Sequence, residues 1–239
     1  MSKSSLAVFA AAALLVAANA HAAPSVPDDG GIINYAMPAE ILTDFHGGIQ
    51  CFVADRLVKD DFGYESTMTA QRYNGYLGYD VARWFSVYAL AGVMSVKDND
   101  IRLGSETTVA YGLGFWAALI DDAQLDFLPT ISRYRLNAAF EVSHSDPNDL
   151  SWTQIDASLT FGLYNDSILS DGKFPTAIGV FFGPVFSSVD LDGFKQVNDN
   201  EWGFTVGGEI RFANGVYVSG GYDFFNDDNM AYFQAGVRF

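Results

Sequence analysis

The sequence predicts an all-β chain: an antiparallel up-and-down transmembrane β-barrel of ten strands, with eight as the alternative count. Three observations carry this. The last ten residues, Met230–Phe239, alternate strictly, with Phe239, Val237, Ala235, Phe233 and Ala231 apolar and Arg238, Gly236, Gln234 and Tyr232 between them. That is a strand with one greasy and one polar face, of the ~10 residues a bilayer crossing needs. Similar runs recur from His46 onward, separated by polar breaks. Alternate breaks differ in kind, acidic ones interleaving with mostly short ones.

The N-terminus reads as an export signal. Lys3 is followed by an apolar run, Leu6 to Ala18, too short to cross a bilayer as a helix. Ala20-His21-Ala22 then supplies a small-x-small cleavage site, so residues 1–22 are expected to be a signal peptide, with a cut after Ala20 as the alternative. Residues 23–45 form a periplasmic lead-in: Pro24, Pro27 and Asp28-Asp29-Gly30-Gly31 are linker chemistry, and Pro38 can open a short helix. The barrel is assigned to 46–239, and no later stretch has the apolar length of a transmembrane helix.

The strand candidates follow in order. In His46–Val58, Ile49, Cys51 and Val53 oppose Gln50, Ala54 and Arg56; this is the weakest. Ser66–Val81 sets Tyr73, Leu77 and Tyr79 against Arg72, Asn74 and Asp80. Trp84–Val96 and Ser105–Leu119 alternate well, and Asp121-Asp122-Ala123 is expected to turn the chain into Gln124–Ser143. Ser151–Tyr164, Pro175–Val189 and Glu201–Phe212 follow. Ala213-Asn214-Gly215 then gives a hairpin signal before Val216–Phe225 and the terminal strand.

With both ends of the barrel in the periplasm, the breaks 59–65, 97–104, 144–150, 190–200 and 226–229 must be extracellular. The remaining breaks, 82–83, 120–123, 165–174 and 213–215, become periplasmic turns, of which only 165–174 is long. Trp84, Phe85, Trp116, Phe212, Tyr217 and Phe239 are expected to ring one end. Trp152, Trp202, Phe224 and Phe225 are expected to ring the other, as interfacial girdles do.

Charge and composition narrow the function. A formal charge of −16 and a pI of about 4.2 disfavour binding to nucleic acid or to an anionic membrane surface. The single cysteine, Cys51, excludes an intramolecular disulfide. The polar faces hold Arg56, Arg72, Arg133, Arg135, Arg211 and Arg238 against Asp80, Glu141, Asp156, Glu209 and Asp223. In a narrow barrel such charges must pair, which gives a salt-bridged lumen, with Arg133 and Arg135 as the positive side of any eyelet for small solutes.

No catalytic residue, cofactor or metal ligand is assigned. His144 borders an extracellular break with Ser143 and Ser145 beside it, but it lacks the His-x-Ser spacing of barrel lipases, since Asp146 stands two residues on. Asp190-Leu191-Asp192-Gly193 and Asp227-Asp228 lack the full spacing of a calcium loop.

The signal peptide, the strand-turn-strand Tyr76–Tyr88 and the terminal Tyr232–Phe239 together resemble small bacterial outer-membrane β-barrel proteins of the superfamily that includes OmpA-type transmembrane domains. The chain departs from OmpA proper in lacking a peptidoglycan-binding domain and in its strand count. The resemblance implies export to the outer membrane of a Gram-negative bacterium and contact with outer-membrane lipid and lipopolysaccharide. It also implies an assembly signature, Phe233, Val237 and Phe239, read by the barrel-assembly machinery. A non-enzymatic structural or weakly porin-like role is the expectation. Adhesion through the acidic loops and lipid hydrolysis are the alternatives, the latter unsupported by the histidines.

Overall fold

The computed structural model describes residues 45–60, 62–82, 84–98, 106–128, 130–147, 151–167, 175–191, 194–196, 201–212 and 216–238. The expected signal peptide, the lead-in up to residue 44 and the terminal Phe239 lie outside these residues.

The described strands are β1 (Phe45–Asp60), β2 (Glu65–Ala82), β3 (Phe85–Asp98), β4 (Glu106–Leu128), β5 (Thr130–Ser145) and β6 (Trp152–Ser167). They continue with β7 (Pro175–Leu191), β8 (Phe194–Gln196), β9 (Trp202–Phe212), β10 (Val216–Phe224) and β11 (Asn229–Arg238). All but the three-residue β8 form one ring in chain order, every pairing antiparallel, and β11 returns to pair with β1. The fold is therefore a closed, up-and-down barrel of ten long strands. Closure leaves no sheet edge along the seam, which is the condition for a sheet to cross lipid.

The seam is a full ladder. β1 pairs with β11 from His46↔Arg238 to Asp55↔Asn229, and with β2 from Phe45↔Tyr79 to Lys59↔Glu65. Gly47 and Gly48 interrupt the alternation of β1. Gly48 is where the Tyr76 hydroxyl and the β11 backbone come close, and a Cβ there would meet both.

Three expectations are corrected. Asp121-Asp122-Ala123 is not a turn: β4 continues to Leu128, and these residues pair with Arg135, Tyr134 and Arg133. That register sets an acidic position across from a basic one, which a sheet favours. Pro129, with no N–H for a ladder, is the stronger breaker. The 190–200 break holds β8, which pairs with β7 (Asp190↔Lys195) and with β1 (Lys59↔Lys195), bridging those two strands beyond the tops of β9–β11. Finally, Trp116, Trp152, Tyr217 and Phe225 belong to no girdle. Trp152 and Phe225 are buried, the Tyr217 hydroxyl bonds to that of Tyr76, and Arg238 sits over Trp116. Each has the parity of its strand's polar face, which decides direction irrespective of residue type.

The two faces are inverted relative to a water-soluble domain. Outside, Leu77, Val109, Leu113, Ile178, Val180 and Phe182 are exposed, with many neighbours of the same kind. Aromatic rings run across four strands from Tyr134 to Phe161, Phe182 and Phe204, at centroid distances of 6.1, 5.7 and 6.2 Å. Inside, Arg56, Arg72, Asp80, Glu141, Asp223 and Asp228 are buried. A continuous apolar exterior on this scale marks a lipid-facing surface. The end of the barrel carrying residues 45 and 238 is called the near end below, and the other the far end.

Candidate functional site

The lumen is the candidate site, and it divides into tiers along the barrel axis. At the near end, Asp80 of β2 receives a hydrogen bond from the Ser86 hydroxyl and pairs with Arg238 of β11 at 3.0 Å. This bridge passes over β1, where the buried His46 brings its Nε2 to 3.7 Å from the same carboxylate. Tyr76 likewise reaches across β1 and β11 to the Tyr217 hydroxyl, over the bare backbone of Gly48 and Gly236. Both contacts tie β2 to strands beyond its neighbour, so they lock the seam from within.

On the opposite near wall, the Arg135 guanidinium lies 4.6 Å above the Tyr164 ring, and that of Arg211 lies 5.8 Å from it. Arg211 also pairs with Glu209. Tyr164 lies against Gly162 and Gly179, where a Cβ would collide with its ring. Large interior rings set against wall glycines fill a narrow lumen without pushing the strands apart.

The middle tier centres on Glu141. It pairs with Arg72 and accepts hydrogen bonds from Tyr88 (3.0 Å) and Gln50 (3.3 Å). Arg72 donates also to Ser143 and stacks over Phe52 at 4.5 Å. Both ions are buried, so each depends on the other and on these neutral partners.

The far tier is mostly apolar. Phe52, Ala54, Val58, Met68, Met94 and Trp152 belong to one buried cluster there that also takes in Val185, Leu191, Phe225 and Met230. Within it, Arg56 lies 5.0 Å from the Phe225 ring centre, donates to Ser187 and reaches Asp228 at 3.6 Å. Ser187 donates on to Asp156, which also accepts from Gln154 at 2.9 Å. Asp228 takes the Leu57 N–H at 2.6 Å, a β1 donor just past the last β11 partner. The carboxylate thus finishes a ladder that β11 is too short to finish.

Of the eleven charges anticipated for the lumen, those described fall at successive levels of the barrel. Arg72 meets Glu141, Asp80 meets Arg238, and Glu209 meets Arg211. Asp156 lies in the Arg56 cluster, Arg135 lies on Tyr164, and Asp223 is buried on β10. The Arg133 side chain lies outside the described set. Sequence reasoning placed Gln154 and Ser187 on the polar faces of their strands, as found, but missed Asp228 and His46 as interior partners. Asp228 sits in an acidic break and reads as solvated, yet it shares the even parity of Met230 and Tyr232, and that signal would have found it.

The remaining candidates separate. His144 faces outward on β5, bonded to Thr153 at 3.0 Å and 3.3 Å from Asp146, whereas Ser143 points inward to Arg72. Of the Asp227–Asp228 pair, the first is exposed and the second buried. Among the described residues, no group of three His, Cys, Asp or Glu could hold a metal ion. Phe233 and Val237 lie on the outer face of β11, opposite Cys51 and Gly47.

Pairing and sidedness define a closed antiparallel β-barrel with an apolar exterior and an ion-paired, side-chain-packed interior. No family model matches the chain, and no curated protein matches it. Among solved structures, it is similar to the COG4313 outer membrane channel from Pseudomonas putida F1, at 12% identity over 87% of this chain and 99% of that one, with a TM-score of 0.42. It is also similar to Ail, the attachment invasion locus protein of Yersinia pestis, at 12% identity over 82% and 99%, with a TM-score of 0.23. The TodX monoaromatic hydrocarbon channel mutant is 9% identical over 82% and 89%, with a TM-score of 0.23. Likenesses at these values carry no weight for the fold or activity of this chain; the barrel rests on its own strand pairing.

Proposed function

We propose that this chain is an integral protein of the bacterial outer membrane, a closed barrel whose role is structural rather than conductive. One observation carries the reading, the inversion of the two faces: ionised side chains are buried inside while aliphatic and aromatic ones are exposed outside. Lipid is the solvent that makes such an exterior favourable. The near end, with its mostly short connections, faces the periplasm, and the far end faces outward. Outer-membrane lipid and lipopolysaccharide surround the barrel, and the outer face of β11 serves insertion by the assembly machinery.

Within that reading, the far-tier cluster supports a filled lumen over a pore. A water-filled channel needs an open polar path through both ends, whereas the far tier holds a cluster of apolar side chains at most 8% exposed, packed around the buried Arg56–Asp228 pair. Planar-bilayer recordings on purified protein test this. No stepwise conductance is expected. Discrete steps that shift in size with Arg135→Ala would replace the structural role with that of a narrow porin.

A further inference from the structure

One sheet edge escapes the closure of the ring. β3 meets β4 for the last time at Phe85↔Ala117, followed by one hydrogen bond from the Ala118 N–H to the Trp84 carbonyl at 2.8 Å. β4 nevertheless runs on to Leu128 at the near end, paired with β5 from Ile120↔Leu136 through Leu125↔Ile131 to Leu128↔Thr130. From Leu119 onward, β4 therefore has a partner on one side only among the described residues. Register shifts at Ala118/Ile120 and Leu125/Leu128 leave Ile120–Leu125 as its unbroken part. Every second N–H and C=O of that stretch points away from β5, into the lane beyond the end of β3. Bare strand edges do not persist in hydrocarbon, and in water they invite pairing with other chains.

The chain's own N-terminal segment fits this edge. The described chain begins at Phe45 on β1, at the same end of the barrel, and β1 stands two strand positions from the lane of β3. That is about 10 Å at ~4.8 Å per strand. Ahead of Phe45, Ile32-Ile33-Asn34-Tyr35-Ala36-Met37 carries no charge and lies between Gly30-Gly31 and Pro38, the composition and punctuation of a short strand. It matches Ile120–Leu125 in length. Pro38–Asp44 reaches up to ~23 Å when extended, more than the gap to β1. A strand that leads into β1 runs in the direction of β1 and β3, and so against β4, the antiparallel sense found throughout this sheet. A second copy fits poorly. Two barrels inserted the same way round present this edge in the same sense, so their β4 strands cannot pair antiparallel.

We propose that Ile32–Met37 docks on the free edge of β4 as an added antiparallel strand, with Ile32 opposite Leu125 and Met37 opposite Ile120. The added ladder supplies partners for the N–H and C=O groups that β3 does not reach. A short tether makes the segment effectively millimolar at its site, so a ladder of this length is enough to hold it. Its occupancy blocks edge-to-edge pairing with other chains. The proposal goes beyond the membrane role and does not depend on which end of the barrel faces the periplasm.

The test uses the full chain in a Cys51→Ser background, purified from membranes into phosphatidylcholine nanodiscs. Asn34→Cys with Ala123→Cys sets two thiols directly opposite each other, where Cβ atoms lie ~4.5–5.5 Å apart. A disulfide within one molecule is expected on mild oxidation. Asn34→Cys with Ser167→Cys, at the near end of β6 and about 14 Å from the lane, should not cross-link. Hydrogen exchange gives an independent readout. The amides of Ile120–Leu125 that point away from β5 should be protected in the unmodified chain. Asn34→Pro with Tyr35→Pro, which breaks the added ladder whichever parity faces β4, should speed their exchange at least ~tenfold. That change is expected in barrels whose heat-modifiable migration matches wild type. Unchanged exchange in the proline variant overturns the proposal. So does a disulfide that forms as readily to Ser167→Cys, or one that joins two molecules and makes a second copy the occupant.

Discussion

Replacing Glu141 with alanine tests whether the lumen is a closed interior. The carboxylate is the counter-ion of Arg72, a residue only 3% exposed whose guanidinium also meets Ser143 and the Phe52 ring. Removing one member of a buried pair leaves the other charge uncompensated, at a cost of ~3–5 kcal/mol. Tyr88 and Gln50 lose an acceptor as well, each worth about 1 kcal/mol, though losses within one network do not add fully. A destabilisation of about 4 kcal/mol is therefore expected for E141A, measured by urea unfolding in phospholipid vesicles with tryptophan fluorescence. The double variant R72M/E141L removes both charges and keeps the volume, so it should recover to within ~1–2 kcal/mol of wild type. A loss below ~1 kcal/mol for E141A would mean that water solvates Arg72. The lumen would then be wet, and the reasoning from packing to closure would fail.

Other substitutions probe other parts of the account. Gly179→Ala drives a methyl group into the Tyr164 ring and should cost about 1–3 kcal/mol in the same assay. Gly208→Ala, on the outer face with its nearest neighbour 3.4 Å away, should change stability by less than ~1 kcal/mol. Asp228→Ala removes both the Arg56 partner and the acceptor for the Leu57 N–H and should cost ~3–5 kcal/mol. Asp228→Asn keeps an acceptor oxygen and should cost less, a difference that separates hydrogen bond from charge. Leu113→Arg, in the exposed apolar belt, should cost about 2–4 kcal/mol in lipid, and a neutral result would indicate that this face meets water.

Alternation made most of this fold legible. A period of two identifies a strand and also sorts its residues by face, so β2, β6 and β9 followed directly from Arg72/Tyr73, Asp156/Ala157 and Trp202/Gly203. Where residue type was weighed above parity, the reading failed. Trp116 and Trp152 were placed in girdles because tryptophan favours interfaces, yet both stand on the interior face of their strands. Asp121-Asp122 carries the residues of a turn, yet both pair in the ladder, with Arg135 and Tyr134 of β5. Pairing across the lumen was not legible. Nothing local links Arg72 to Glu141, or Arg56 to Ser187 and Asp228, because closure of the ring is what brings these strands face to face. The short β8 was equally hidden, since its partners on β1 and β7 exist only once β9–β11 stop short.

The central claim is a closed barrel folded in the outer membrane. Its most direct measurement is the migration of the membrane-fractionated protein on gels run with and without boiling. A compact barrel resists detergent until heated, so the unboiled protein is expected in the outer-membrane fraction at a mobility distinct from the boiled form. Identical mobility in both samples, with the protein in the soluble periplasmic fraction, would contradict the account.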